Sequence, residues 1–78
     1  MRADLITQKV PNADPDFLRI MEKLPDPPPG AFERVMETLP KLYALFVGKR
    51  DAALKNDRET FMEIVEKEVA LIREMEGI

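Results

Sequence analysis

The chain has 78 residues, a net charge of −3, and no histidine, cysteine or serine. These absences remove the commonest general base, the usual nucleophiles, the thiol and imidazole ligands of zinc, and any disulfide. The acidic balance does not favour nucleic acid, and no apolar run reaches the roughly 20 residues that span a bilayer. The composition therefore predicts a protein that is not an enzyme, that uses no cofactor or metal, and that binds neither nucleic acid nor membrane.

The first 13 residues carry little helical periodicity. Leu5, Ile6 and Val10 are apolar, and Pro11 ends the stretch. A lone strand has no partner inside so short a chain, so residues 1–13 are predicted to be an extended N-terminal arm. The start also lacks the apolar segment of a signal peptide, and a cytoplasmic location is expected.

A single small helical domain is predicted over residues 14–78. Asp14 can cap a helix whose first residue is Pro15. One face of this short helix is apolar, at Phe17, Ile20, Met21 and Leu24. A proline-rich spacer at 25–30 then follows, and its rigid extended backbone favours a role as a stiff connection over one as a ligand for a proline-binding domain.

Helical periodicity returns at Ala31 and continues to Lys55. Pro40 either kinks one long helix or starts a new one capped by Thr38. Gly48 indicates either a packing requirement or a locally weak helix. The short connection at 55–57, where Asn56 or Asp57 can cap, predicts an antiparallel hairpin with a long C-terminal helix over 58–76. The predicted fold is therefore all-α, with two hairpins pairing as a four-helix arrangement in a dimer.

Two charged side chains fall within apolar arcs of this hairpin. Glu68 lies near the middle of the arc of the last helix, and Arg50 lies near the centre of the arc of the preceding one. Counting outward from the turn places Tyr43 opposite Glu68, with Arg50 about one turn nearer the loop. We expect a Tyr43–Arg50–Glu68 polar cluster, because an unpaired buried charge is costly. The cluster could be a structural ion pair, a pairing across a dimer interface, or a pocket for an anionic ligand.

Two further charged groups suggest solvated faces rather than sites. Three carboxylates of the last helix lie outside its apolar arc, without the histidine of a di-iron site, at Glu59, Glu63 and Glu66. A basic segment precedes them, at Lys41, Lys49, Arg50 and Lys55. The helix that would have to read DNA after this segment is acidic, which argues against a helix-turn-helix.

The apolar face of the last helix is wider than one antiparallel neighbour can cover. Its members are Phe61, Met62, Ile64, Val65, Val69, Leu71, Ile72 and Met75. This excess predicts a small non-catalytic protein–protein interaction module, such as an accessory subunit, adaptor or assembly factor, that forms a homodimer or binds another protein. The alternative is a small regulatory domain that binds an anionic ligand or an acidic partner through Arg50 and Tyr43. A DNA-binding regulator is the third option.

Overall fold

The computed structural model describes residues 1–76, with side chains for residues 1–75, and all its regular structure is helical. A 3₁₀ turn at Pro29–Ala31 leads into the third of four α-helices. The helices are α1 (Ala3–Lys9), α2 (Pro15–Glu22), α3 (Phe32–Leu54) and α4 (Arg58–Glu76). The all-α prediction is confirmed. None of these described helices has the length and apolar composition needed to cross a membrane.

The N-terminal segment is a helix, so the prediction of an extended arm is wrong. Leu5 and Ile6 of α1 are buried, and the backbone N–H of Arg2 donates to Asp26 Oδ1 at 3.1 Å. A seven-residue helix is unstable by itself in water. It forms here because α1 packs against both α2 and α3. Because α1 is stabilised by contacts with distant parts of the chain, the local sequence of residues 3–9 shows too little helical periodicity to predict it.

Helix α2 begins where the sequence indicates, with Asp14 as its cap. The Asp14 carboxylate accepts hydrogen bonds from the backbone N–H groups of Asp16, at 2.9 Å, and Phe17, at 3.2 Å. Phe17 and Met21 are buried, as expected for the inner face. Ile20 is 53% exposed, and Leu24 beyond the helix is also exposed, so the predicted apolar stripe of α2 is only half covered.

Helix α3 is continuous over 23 residues and contains Pro40. Of the two sequence alternatives, the single long helix is therefore the one that forms. Pro40 lies on the exposed side of α3, so its ring extends largely into solvent. Thr38 does not cap a new helix, because its Oγ1 donates within α3 to the carbonyl of Arg34 at 2.8 Å.

The hydrophobic core lies between α1, α2 and the first half of α3. Ile6 and Leu39 are its most completely buried side chains. The other large members of the cluster are Met1, Leu5, Val10, Phe17, Met21, Val35, Met36 and Leu42. Across residues 58–75 of α4 no residue is fully buried, although Leu71 and Met75 pack against the edge of this core. The core is therefore built almost entirely without α4.

The connection from α3 to α4 is a helix-ending motif followed by a helix cap. Asn56 has a φ of 56°, a left-handed conformation that Asn tolerates better than most residues. The N–H of Asp57 donates to Ala52 O at 2.9 Å, and that of Asn56 donates to Ala53 O at 3.2 Å. The Asp57 carboxylate then accepts from the N–H of Thr60 at 3.2 Å, which confirms Asp57 as the cap of α4. Helix α4 packs on α3 more extensively than any other pair of elements pack together.

Candidate interaction surface

Part of the predicted apolar face of α4 is used to pack α4 onto the rest of the chain. Ile64 lies over Gly48, where an added Cβ would be 3.3 Å from Ile64 Cδ1. Leu71 and Met75 touch the core, and Phe61 shares a shallow groove with Ala52 and Ala53 near the α3–α4 turn. Five members of the face are half-buried, Val65 among them, and the four that make these contacts are Phe61, Ile64, Leu71 and Met75.

The remaining members form a narrow strip, exposed at all positions but Val65, which we call the α4 stripe: Met62, Val65, Val69 and Ile72. Met62 is 55% exposed, Val69 42% and Ile72 41%, while Val65 is half-buried. Successive members are separated by three, four and three residues. This is the spacing of the seam positions in a coiled coil. This spacing is present in the sequence, but it cannot be distinguished within the eight-residue apolar face. The structure separates it by showing which side of α4 faces α3.

Charged residues border the α4 stripe. At about 100° per residue, Glu59, Glu66 and Arg73 fall along one flank of it. Arg58 lies in line with the stripe at the first residue of α4. Glu59, Glu66 and Arg73 are all exposed. An apolar strip with charges along its border is the usual composition of a helix surface that packs against another helix.

The C-terminal end of the α4 stripe opens into an apolar groove of about 300 Å³. Ile72 and Met75 form one wall, and the residues after α2 form the other, including Leu24 and the prolines at 25, 27 and 28. The rigid proline spacer therefore holds a second exposed apolar side chain, Leu24, beside the stripe. The apolar surface of this end is broader than the stripe alone.

The predicted Tyr43–Arg50–Glu68 cluster is wrong within this chain. The Arg50 guanidinium pairs with the Asp14 carboxylate, and Tyr43 Oη donates to the carbonyl of Asn12 at 3.1 Å. Glu68 instead forms an ion pair with Lys49, at 3.0 Å between Nζ and Oε1. The two hairpin helices by themselves offer Arg50 and Tyr43 no carboxylate partner as near as Glu68. Residues of the docked N-terminal segment bind Arg50 and Tyr43 instead. The long Lys49 side chain extends from α3 and reaches Glu68.

Arg50 and Tyr43 belong to the packing of α2 against α3. The ring of Phe17 meets that of Tyr43 edge to face, with centroids 4.9 Å apart, and lies 5.4 Å from that of Phe46. The Arg50 guanidinium covers the Phe46 ring at 5.4 Å from its centroid. The hydrogen bond from Arg50, together with backbone N–H donors of α2, lowers the pKa of the Asp14 carboxyl below its usual value. These contacts give Arg50 a structural role.

Three of the basic residues at the C-terminal end of α3 and just after it, Lys49, Arg50 and Lys55, are paired with carboxylates. Lys55 Nζ, just beyond the end of α3, lies 3.0 Å from Oδ2 of Asp51 in the last turn of that helix. Among the side chains of residues 1–75, no three acidic groups are placed to hold a metal ion together. The chain matches no protein-family model, no curated protein and no solved structure.

Proposed function

We propose that this chain is a small non-catalytic protein–protein interaction module, an accessory subunit, adaptor or assembly factor, that forms a homodimer through α4. The observation that carries this proposal is the exposure of the α4 stripe. Three of its four apolar side chains are 41–55% exposed, although the core of the domain is closed without them. A contiguous apolar strip edged by charges, on a helix with no buried residue over 58–75, favours a surface that a partner covers.

The arrangement of α3 and α4 supports an antiparallel hairpin that presents this surface. The contact of Gly48 with Ile64 and the ion pair of Lys49 with Glu68 both join the end of α3 to positions well beyond the turn in α4. The half-buried side of α4 faces α3, so the stripe lies on the side that α3 leaves open. Two such hairpins would form a four-helix arrangement in the dimer.

The alternative, a regulatory domain that binds an anion through Arg50 and Tyr43, loses its supporting feature. Both side chains already have partners inside the domain, Asp14 and Asn12. Replacing Arg50→Met separates the two functions. A structural role predicts a lower unfolding temperature, whereas a ligand-binding role predicts unchanged stability and lost anion binding. The internal pairing of Lys49, Arg50 and Lys55 likewise disfavours a DNA-binding regulator, which would show steep salt-dependent association with duplex DNA.

Sedimentation equilibrium tests the proposed module directly. The α4 stripe is short, so we expect a dissociation constant on the order of 100 µM, and measurements should extend to about 1 mM. The wild-type mass should rise with concentration towards twice the 9.0 kDa of one chain. Val69→Glu places a charge in the stripe and should keep the chain monomeric. Ala70→Glu is the matched control, since it adds the same charge at the next exposed residue, off the stripe.

One sedimentation result would overturn the proposal. A wild-type chain that stays monomeric over the whole range, with Val69→Glu indistinguishable from Ala70→Glu, would leave the homodimer without support. Far-ultraviolet circular dichroism on both variants checks that each remains helical. A variant that has lost its helicity is replaced by Val69→Gln, which removes the apolar side chain without adding a charge.

A further inference from the structure

We infer that the second copy lies antiparallel, with the two α4 helices related by a two-fold axis that passes through the seam at the level of Lys67. The inference rests on the proposed function and specifies how the partner sits on the same surface. In this arrangement Met62 of one chain lies opposite Ile72 of the other, and Val65 lies opposite Val69. Each apolar side chain of the stripe then meets an apolar side chain of the second copy.

The spacing of the stripe makes a reversed copy fit. Intervals of three, four and three residues read the same from either end, so the seam matches itself when one helix is turned around. Lys67 is the midpoint between Met62 and Ile72 and lies on the opposite side of α4, clear of the seam. Seam residues at such intervals interlock as knobs into holes in two-helix contacts.

The charges beside the stripe decide between the antiparallel and the parallel arrangement. Arg58 lies in line with the stripe at the N-terminus of α4. A parallel pair would bring Arg58 against Arg58 of the second copy, beside two helix ends that both carry a positive partial charge. An antiparallel pair instead places Arg58 at the C-terminal end of the other α4, where the helix dipole is negative.

A second charge pairing favours the same arrangement. Glu59 and Arg73 occupy the same flank of the stripe, one near each end of α4. Antiparallel helices bring equivalent flanks together, so Glu59 of one copy approaches Arg73 of the other, and the two-fold axis repeats the pair. Glu66 approaches Glu66 of the second copy beside the axis, so this flank contributes two opposite-charge pairs against one like-charge pair. The parallel arrangement would need Glu68 for Arg73, and Glu68 is already held by Lys49.

The size of the surface sets the strength of the contact. From Met62 to Ile72 the stripe extends over eleven residues, about 15 Å of helix. An interface limited to these four side chains buries less surface area than a standard stable interface, in which each partner buries about 800 Å². The dimer is therefore a weak, concentration-dependent one, in rapid exchange with the monomer.

Cysteine crosslinking tests the arrangement, because the native chain contains no cysteine to interfere. Val65→Cys and Val69→Cys are made separately, one carrying a mass tag, and oxidised alone or as an equal mixture at about 0.5 mM. The antiparallel dimer predicts that the mixture gives several-fold more of the mixed disulfide than either variant gives with itself. Leu54→Cys is the control, since Leu54 is 81% exposed but lies off α4.

The outcomes separate this inference from the proposed function. Efficient disulfide formation by Val65→Cys with itself would show a parallel dimer, and would overturn the inference while leaving the interaction module intact. Preferential crosslinking by Leu54→Cys would show association through another surface and would also overturn the inference. Association absent from sedimentation and from every crosslinking sample would overturn both.

Charge exchange gives an independent test that does not require cysteine. Glu59→Arg alone and Arg73→Glu alone should each weaken dimerisation several-fold, because each creates two like-charge pairs. The double variant in one chain restores opposite charges and should recover most of the wild-type association. Losses that simply add in the double variant would contradict the antiparallel pairing.

Discussion

Replacing Gly48→Ala should stabilise the domain, although Gly48 lies where α3 approaches α4. Its φ is not positive, so the helical backbone at this position suits alanine. A glycine in a helix interior costs about 1 kcal/mol relative to alanine. The new Cβ would lie 3.3 Å from Ile64 Cδ1, which is a tight contact with the tip of a side chain.

The net change in the free energy of unfolding depends on whether the Ile64 side chain can move. Ile64 is only half-buried, so its terminal methyl can shift by a few tenths of an ångström at a rotamer cost of about 0.5 kcal/mol. The free energy of unfolding should therefore rise by about 0.5 kcal/mol, the helix-propensity gain less this rotamer cost. For a domain of this size, that raises the unfolding temperature by about 2–4 °C.

Thermal unfolding followed by circular dichroism measures the change, with Gly30→Ala as the control. Gly30 has no neighbouring atom within 4 Å of an added Cβ, so its replacement reports the backbone effect without a packing contact. A fall of more than about 4 °C for Gly48→Ala, beside a rise for Gly30→Ala, would show that Ile64 cannot move. Adding Ile64→Val removes Cδ1 and should then recover the loss; if it does not, the contact between α3 and α4 is wrongly placed.

Three further substitutions test separate parts of the fold by the same unfolding measurement. Ile6→Val should cost about 1 kcal/mol because Ile6 is fully buried in α1, whereas the exposed Ile20→Val should cost almost nothing; equal, negligible effects would mean that α1 does not dock. Asp14→Asn keeps a helix cap but loses the charge that pairs with Arg50. Because the folded pKa of Asp14 is lowered, its contribution is present above its ordinary value of 3.8 and is lost as pH falls below it. The gap between wild type and Asp14→Asn should therefore close in acid, and a gap independent of pH would contradict the ion pair. Asn56→Ala should cost about 1 kcal/mol because of the left-handed backbone, and an unchanged unfolding temperature would refute that conformation.

Local signals in the sequence were sufficient where a helix end is determined by its neighbours in the chain. Asp14 followed by Pro15 marks the start of α2, and Asp57 three residues before Thr60 marks the start of α4. Such caps depend on hydrogen bonds between residues two or three apart. They form in the same way whatever the rest of the fold does, which is why these positions were predicted correctly.

Side-chain partners across the fold could not be predicted in this way. The hairpin by itself predicts that Arg50 pairs with Glu68, whereas in the structure Arg50 pairs with Asp14 and Glu68 pairs with Lys49. The error has the same origin as the mistaken extended arm. Once residues 3–9 pack as a helix, Asn12 and Asp14 lie beside α3 and become the partners of Tyr43 and Arg50.

The sequence by itself determined an all-helical chain, the caps of α2 and α4, and an apolar face on α4 too wide for one neighbour, because each depends on residues within a few turns of one another. Only the tertiary structure decided that a seven-residue segment becomes α1 and closes the core. It also decided which side of α4 lies on α3, and so reduced an eight-residue face to the four residues of the α4 stripe. That choice depends on which packed surfaces exclude the most water together, a property of contacts between distant parts of the chain.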